Sequence, residues 1–279
     1  MGSVVVVASE NDSTVGDAGN QERIYWWSVL DSRIASAAKD DPTRVETVAF
    51  RPKQTVTAVV ADASGVYWLE NGPDEDGATS SRIMTKDGSG TRAVFRTIDA
   101  LRHLALSPMR VDTSAHNAVC VAPRGAGTGG CTSVNSSDDA LADDGFNVFY
   151  TFVDGIYALG GKQIVSGAVN AHDLVLDGTN VYAVVPRPPG NALVKGDKNG
   201  PATAVTDVAK TPAGRILLAL DNLGLVYANV DDGTIWRQPT TGGEPTMLKS
   251  GVTRPNAIVA DANGVYWSTD DGHVVWVVR

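Results

Sequence analysis

The sequence lacks the features by which several classes of protein are recognised. Its longest apolar runs fall far short of the ~18 residues needed to span a bilayer, and the four valines at 4–7 are too few for the core of a signal peptide. Asp and Glu (32) outnumber Lys and Arg (23), and the net charge of −9 argues against the basic stripe of a nucleic-acid-binding surface. We therefore expect neither a membrane span nor a nucleic-acid partner.

Cysteine is also scarce, since only Cys120 and Cys131 occur. A disulfide between them would close a Gly-rich loop of about 10 residues and remove roughly 2–3 kcal/mol of chain entropy from the denatured state. Such a bond is typical of an oxidising compartment. We expect the disulfide, with two buried thiols as the alternative. It favours a secreted or periplasmic protein whose natural signal peptide has been removed ahead of the Met1-Gly2-Ser3 start.

Helix-period segments, nucleophile elbows, phosphate-binding glycine loops and dinucleotide fingerprints are all missing. The sequence instead repeats one pattern: an Asp, a short turn, and then Val-Tyr-Trp or a relative. The mean spacing of its aromatic position matches the ~40–45 residues of a four-stranded propeller blade. This position falls at Tyr25, Tyr67, Cys120 in a degenerate copy, Phe149, Tyr182, Tyr227 and Tyr266.

The repeat predicts an all-β fold, a seven-bladed β-propeller that occupies residues 1–279 as a single domain. Because the spacing is uneven around Cys120, a six-bladed ring with 100–167 as one distorted blade is the alternative. The last unit, Asn256–Val278, offers only three strands. We expect the orphan strand Val4–Ala8 to supply the fourth strand of that C-terminal blade and so close the ring, since an open ring would expose a sheet edge.

Parts of the repeat resemble known families. Tyr266-Trp267-Ser268-Thr269-Asp270 resembles the signature of YWTD-type propellers with one serine inserted, and Asp232–Arg237 followed by Gly242-Gly243 resembles the continuation of that repeat. The segment from Asn256 to Trp267 also resembles NHL and gluconolactonase-type propellers. The resemblance is clearest over 215–279 and 55–97. It implies a propeller fold, which hosts receptors, lectins, lyases and lactonases alike. Of the gluconolactonase calcium site, only Asn256 has a plausible counterpart.

Polar residues recur five positions before the repeat Asp, at the predicted starts of the innermost strands. If these starts surround the mouth of the central channel, one rung carries Asp12, Thr57, Asp139, His172 and Asn256, with His103 near the same level. Imidazole and carboxylate groups together suit zinc or a similar ion, or a His–Asp pair for proton transfer. We predict His103, His172 and Asp139 as catalytic residues and the same three with Asp12 as metal ligands. A wet channel mouth that tolerates polar residues is the alternative.

Three arginines, Arg102, Arg215 and Arg254, lie near the same strand starts. Together with Thr57 and Asn256 they are predicted to hold a ligand at the channel mouth, although solvated loop residues would show the same pattern. Acidic turns such as 143–145 and 231–233 offer oxygen ligands for calcium, but Asp-Gly is also the favoured turn of a tight hairpin, which is the interpretation we prefer.

The sequence thus favours an exported, monomeric binding propeller that presents its loop-rich face to a protein or carbohydrate ligand. The alternative is a hydrolase or lyase with a metal-assisted or His/Asp site at the mouth of the channel. No cofactor is certain, and a divalent cation, calcium or zinc, is the one candidate.

Overall fold

The structure is a computed structural model that describes residues 4–9, 23–41, 43–62, 64–73, 77–124, 128–134, 140–200, 203–270 and 273–278. Regular structure in this part of the chain consists of β-strands in seven sheets. No helix within these ranges is long and apolar enough to cross a membrane.

Each sheet forms one blade, and its strands follow the chain from the innermost strand outwards. Blade 1 contains β1 (Val4–Ser9), β2 (Arg23–Ser28), β3 (Arg33–Ala38) and β4 (Val45–Phe50), and blade 2 contains β5 (Thr55–Asp62), β6 (Gly65–Pro73), β7 (Thr79–Asp87) and β8 (Gly90–Thr97). Blade 3 contains β9 (Leu101–Leu106), β10 (Arg110–Ala115), β11 (Ala118–Pro123) and β12 (Gly130–Ser133).

The remaining four blades complete the order of the strands. Blade 4 contains β13 (Leu141–Asp143), β14 (Val148–Phe152), β15 (Gly155–Ala158), β16 (Lys162–Ser166) and the short parallel strand β20 (Thr203–Ala204). Blade 5 contains β17 (His172–Leu176), β18 (Asn180–Arg187), β19 (Gly190–Asp197) and β21 (Thr206–Thr211). Blade 6 contains β22 (Ile216–Asp221), β23 (Gly224–Asn229), β24 (Thr234–Gln238) and β25 (Thr246–Lys249), and blade 7 contains β26 (Pro255–Ala260), β27 (Gly264–Thr269) and β28 (Val274–Val278).

The innermost strands pack side by side in a closed cycle. β1, β5, β9, β13, β17, β22 and β26 contact one another in that order, and β26 returns to β1. The predicted seven-bladed β-propeller is therefore confirmed, and the six-bladed alternative is wrong.

The predicted mode of closure, in contrast, is wrong. β1 does not join the C-terminal blade as its fourth strand. It pairs antiparallel with β2, with Ala8 opposite Tyr25, and is the innermost strand of blade 1. The reason is visible in its composition, since a continuous apolar run suits a strand that is covered on both faces. β1 contacts β5 and β26, the innermost strands of the two neighbouring blades.

The Val-Tyr-Trp repeat is explained by the packing of neighbouring blades. In blade 2, Val66 and Trp68 join a core cluster with residues of blade 1, whereas Tyr67 joins a cluster with residues of blade 3. Because successive side chains on a strand point to opposite faces, this triplet places large side chains in two interfaces at once. All three side chains are buried. The repeat is therefore a packing pattern of second strands.

The repeat Asp contributes to the interface with the following blade. At the end of the third strand of that blade, a cation reaches back to the carboxylate. Lys39, for example, lies 2.6 Å from Asp261 and 5.5 Å from the ring centroid of Tyr266, so that blade 1 is fastened to blade 7. In the described part of the chain such pairs are Lys39–Asp261 (2.6 Å), Arg124–Asp62 (2.5 Å) and Lys198–Asp144 (2.8 Å).

Blade 3 departs from the repeat, which explains the uneven spacing. The predicted second-strand position Cys120 lies on the third strand, β11. The true second strand is β10, where Val111 lies opposite Leu106 and Asp112 therefore takes the position that the repeat gives to Tyr. Cys120 lies opposite Cys131 of β12, and the predicted disulfide between them is confirmed.

Asp112 is fully buried and forms a cluster with Asp143 at the end of β13. Arg110 donates to both carboxylates, at 3.3 Å from Asp112 and 2.8 Å from Asp143. Burial, together with the hydrogen bond and negative charge of Asp143, raises the pKa of Asp112 to about 8. Burial opposes ionisation of Asp143 as well, but hydrogen bonds from Asp112, Ser107 and the Gly145 backbone hold its pKa below the usual range. The two carboxyl groups thus share one proton at neutral pH.

Candidate functional site

The blade topology defines two faces of the ring. Turns between second and third strands, and the connections between blades, lie on one face, which we call the loop face. Turns between first and second strands lie on the opposite face, which we call the Asp face because the repeat Asp residues lie there. The innermost strands begin at the loop face, so their first residues surround one mouth of the channel.

The described ligand-binding candidates all lie at this mouth. Arg215 and Arg254 directly precede β22 and β26, and Thr57, Arg102 and Asn256 lie within the first three residues of their strands. Asn256 is half-buried, and the other four residues are exposed. That these five residues bind a ligand remains a proposal.

Asn256 and Arg254 are held within blade 7. Ser268 donates its hydroxyl hydrogen to Oδ1 of Asn256, whose amide nitrogen lies 3.4 Å from Asp270. Arg254 lies 3.2 Å from the same Asp270 carboxylate. An oxyanion at Arg254 would therefore have to compete with Asp270.

Several of the strand starts contain a β-bulge, which the sequence pattern did not reveal. The register of β5 shifts across Thr57, that of β17 across Asp173, and that of β26 across Asn256. β9 has one extra residue between Leu101 and Leu104, where Arg102 and His103 lie. A bulge leaves one residue outside the ladder and redirects its side chain. Polar residues at these positions consequently lie outside the alternating apolar packing of the strand.

The predicted metal and catalytic residues are only partly described. His103 and His172 lie on the innermost strands of blades 3 and 5, and β13 of blade 4 runs between these strands. Asp12 and Asp139 lie outside the described residues. Among the residues that are described, no group of three or more His, Cys, Asp or Glu side chains is arranged to hold a metal ion. A zinc or calcium site at the channel mouth therefore remains a prediction.

Asp173 is a member of this region that sequence reasoning missed. It follows His172 at the bulge of β17 and adopts a left-handed backbone with φ of 51°, a conformation in which Asp is enriched. Burial raises the pKa of its carboxyl group to about 7, and the positive charge of Arg215 on the next blade opposes part of that rise. A strongly perturbed carboxyl pKa is a recognised signature of functional sites. The His172-Asp173 dipeptide was the available signal.

The acidic turns behave as turns. Oδ1 of Asp144 accepts hydrogen bonds from the backbone of Phe146 and Asn147, and Asn229 Oδ1 accepts from Asp231 and Asp232. These bonds satisfy the backbone of each hairpin. They support the preferred interpretation of 143–145 and 231–233 as hairpin turns.

A groove of about 630 Å³ runs between blades 3 and 4 and contains three aromatic rings. Tyr157 stacks on Tyr150 with 5.9 Å between ring centroids, and Phe152 meets it edge-on at 6.0 Å. Polar groups of Asn117, Thr132 and Ser133 complete the lining. The groove combines an aromatic platform with hydrogen-bonding groups, which is an arrangement able to hold a sugar or a peptide side chain.

Exposed large apolar side chains also occur on the loop face. Leu30 lies in the turn after β2, Phe50 ends β4, and Ile98 lies in the connection after β8, with exposed fractions of 64%, 64% and 90%. We call these three residues the apolar corner. Leu30 and Phe50 come from adjoining turns, since the Arg51 amide donates to the Ser32 carbonyl at 2.7 Å.

Comparisons with known proteins support the fold without assigning a family. No protein family matches the chain, and no curated protein matches it. Among solved structures it is similar to a chain of the nidogen/laminin complex, with a TM-score of 0.55, 14% identity, and coverage of 89% of this chain and 86% of the other. It is also similar to BamB from Moraxella catarrhalis, with a TM-score of 0.57, 11% identity, and coverage of 98% and 85%.

A further similar structure is KlHsv2 with loop 6CD replaced by a Gly-Ser linker, with a TM-score of 0.66, 9% identity, and coverage of 100% of this chain and 98% of the other. Identities this low indicate a shared fold only. Fold and comparisons together define the protein as a repeat-built, seven-bladed β-propeller.

Proposed function

We propose that the chain is an exported binding propeller whose loop face docks a protein partner. The observation that carries this proposal is the apolar corner, in which Leu30, Phe50 and Ile98 expose 64%, 64% and 90% of their surface. Exposed large apolar side chains on adjoining loops, such as Leu30 and Phe50, are a feature of protein–protein interfaces. The Cys120–Cys131 disulfide supports export, because such bonds persist in secreted and periplasmic proteins. Nidogen and laminin form a complex in one of the similar structures, which is compatible with this proposal.

The chemistry of the corner favours a protein over a carbohydrate as the partner. Sugars are commonly held on flat aromatic faces, and all six tryptophans of the chain are buried or half-buried within the blades. Branched aliphatic side chains such as Leu30 and Ile98 offer no such stacking surface. The repeat-level resemblance to YWTD and NHL propellers is compatible with a binding role, and we expect the unbound protein to be a monomer.

The test compares two triple variants on arrays of extracellular proteins and glycans. Leu30→Ser/Phe50→Ser/Ile98→Ser alters the apolar corner. Met109→Ser/Phe146→Ser/Leu223→Ser removes three equally exposed apolar side chains from the Asp face and is the matched control. We expect the first variant to lose at least ~10-fold in affinity for a protein that the wild type binds, since hot-spot truncations cost ~2 kcal/mol or more. Retained binding in the first variant, or equal loss in both, would contradict the proposal.

A carbohydrate ligand would be expected at the aromatic groove between blades 3 and 4 instead. Tyr157→Ser removes the central ring of that groove while leaving the apolar corner intact. Glycan binding that is lost in Tyr157→Ser and retained in both triple variants would assign the ligand class to carbohydrate.

A second candidate function, a hydrolase or lyase, is favoured by the channel mouth. The pKa of Asp173, raised to about 7, matches the range in which a general acid or base works at neutral pH. His172 is its sequence neighbour, and Arg215 supplies a positive charge that could hold an anionic group. A hydrolase and lyase panel, run with His103→Ala, His172→Ala and Asp173→Asn and accompanied by elemental analysis for zinc and calcium, tests this candidate. Activity in the wild type that all three variants keep would exclude these residues.

A further inference from the structure

A basic cavity of about 690 Å³ lies on blade 2 and is separate from the channel mouth. Five cations line it: Arg51, Lys53, Arg82, Arg92 and Arg96. No acidic residue is among its described lining. The whole chain carries a net charge of −9, so five cations among the described lining residues contrast with the average charge of the protein.

Three of the charged residues of this region form one row across the sheet. The strand registers place Glu70 opposite Arg82, and Arg82 opposite Arg96. Like charges directly opposite each other on adjacent strands are destabilising. The Arg82–Arg96 pair therefore concentrates positive charge at one point of the sheet, next to the Glu70 carboxylate.

The Glu70 carboxylate is fully buried and is shared by two arginines. Arg51 Nε donates to it at 2.7 Å, and Arg82 lies 3.1 Å from it. Trp68 Nε1 donates a further hydrogen bond at 2.9 Å, which fixes the carboxylate. One carboxylate neutralises one of the two guanidinium charges, so positive charge remains at the inner wall of the cavity.

The outer guanidinium groups are also held in place. Arg82 donates to Gln54 Oε1 at 2.7 Å, and Arg92 donates to Asp87 at 2.9 Å. Within the described residues, the buried Nε of Arg82 has no hydrogen-bond partner. An unsatisfied buried donor costs about 1–3 kcal/mol. The hydrogen bonds to Gln54 and Asp87 nonetheless hold the guanidinium groups of Arg82 and Arg92 in place, so that this part of the wall is preorganised.

The ring itself does not require this charge. The other six blades have the same strand register, and the residue two positions after the Trp position corresponds in each to Glu70. These residues are Ser28, Ala115, Phe152, Val185, Asn229 and Thr269. All six are neutral, so the carboxylate and its arginines are a property of blade 2 rather than of the fold.

We propose that the basic cavity binds a ligand bearing two or more oxyanion groups, either phosphate, sulfate or carboxylate. The planar guanidinium group is the preferred partner of such groups because it offers paired donors in a fixed geometry. Four arginines and Lys53 around a cavity of this size suit several charged groups on one small molecule. This site shares no residue with the apolar corner or with the predicted ligand-binding residues of the channel mouth, and its occupancy needs no protein partner.

The test is isothermal titration of the wild-type chain with pyrophosphate, citrate and sucrose octasulfate, each at low and at ~0.15 M ionic strength. We expect saturable one-to-one binding of at least one probe, with the preferred probe identifying the class of oxyanion. Arg96→Gln and Lys53→Gln should each weaken it ~10-fold or more, since a charge-assisted hydrogen bond contributes strongly. Arg44→Gln is the matched control, because Arg44 is exposed, is paired with Glu46 and lies outside the cavity.

Two results would overturn the proposal. The first is the absence of saturable binding of all three probes, and the second is an equal loss of affinity in Arg44→Gln and Arg96→Gln, which would reveal unspecific attraction. The sequence also holds Asp74, Glu75 and Asp76 between the lining residues Pro73 and Gly77, outside the described residues. Binding that persists or tightens in Asp74→Asn/Glu75→Gln/Asp76→Asn supports the arginines as the site. Loss of binding there would assign the ligand to those carboxylates instead.

Discussion

Replacing Asp112 by Asn should remove the pH dependence of folding stability that the buried pair of Asp112 and Asp143 causes. In the folded protein Asp112 holds its proton up to about pH 8, whereas an unfolded Asp loses it near pH ~4. Between these values the folded state binds more protons than the unfolded state. The free energy of unfolding must therefore decrease as the pH rises through this window.

The magnitude follows from the size of the window. Each unit of pKa difference corresponds to ~1.4 kcal/mol. The free energy of unfolding of the wild type should therefore decrease by up to ~4 kcal/mol between pH ~5 and pH ~8. Asn has the shape of the protonated acid, keeps a donor for Asp143 and has no proton to lose. The Asp143 pKa is shifted in the opposite direction. Its contribution is present above the ordinary Asp pKa and is lost only as the pH falls below it.

Urea unfolding followed by tryptophan fluorescence, at unit intervals from pH ~5 to pH ~8, measures the effect. We expect nearly equal stability of wild type and Asp112→Asn near pH 5, and a variant more stable by several kcal/mol near pH 8. Asp173 is present in both proteins, so its contribution to the pH dependence cancels in the difference. Asp99→Asn, which alters an exposed acid on the connection after β8, should run parallel to the wild type. Parallel curves for the wild type and Asp112→Asn would refute the shared proton.

Two further perturbations test how the ring is held together. Lys39→Met removes the cation from Asp261, and since their side chains are only 9% and 5% exposed, urea unfolding at neutral pH should show a loss of ~3 kcal/mol or more. Lys39→Met/Asp261→Asn should recover most of this loss, and an effect no larger than that of Arg44→Met would contradict the proposed fastening of blade 1 to blade 7. Cys131→Ser should lower stability by ~3 kcal/mol through the opened loop, and a variant that unfolds at the same urea concentration as the wild type would contradict that estimate.

The blade architecture could be predicted because each second strand must supply two interfaces. That requirement places large side chains on both faces of the second strand. The Val-Tyr-Trp pattern results where a second strand serves only this packing. The prediction failed locally in blade 3, where Asp112 takes the position of Tyr. A buried Asp in the middle of a strand contradicts the apolar pattern of second strands. Asp112 is tolerated there because it keeps its proton and is paired with Asp143, and neither fact can be read from the sequence.

The partner of β1 could not be predicted for a different reason. A run of valines indicates a strand covered on both faces, which describes β1 correctly. The pattern does not state which sheet the strand joins, because pairing depends on neighbours far away in the chain. The last unit, Asn256–Val278, offers only three strands, and this favours the interpretation that Val4–Ala8 completes it. The contacts of β1 with β5 and β26 instead place it among the innermost strands of the ring.

The candidate sites, too, could be predicted from the sequence only in part. The residues at the channel mouth could be found by counting from the repeat Asp, because one strand start follows another at a regular spacing. The bulges that redirect Thr57 and Asn256 could not be found in this way, since a bulge changes the register without changing composition. The basic cavity escaped notice altogether, because Glu70, Arg82 and Arg96 lie on three strands and form a row only when both registers are known.

Because all seven blades have the same packing, the residue at each position of one blade can be compared with the equivalent residues of the other six. The position of Glu70 is neutral in every other blade, so the ring closes and packs without a charge there. A carboxylate that is fully buried, and that two arginines must neutralise, is costly unless its arrangement is used. The stability of the repeat therefore does not explain the arginines of blade 2, and the basic cavity is the place where this chain differs most from its own repeat.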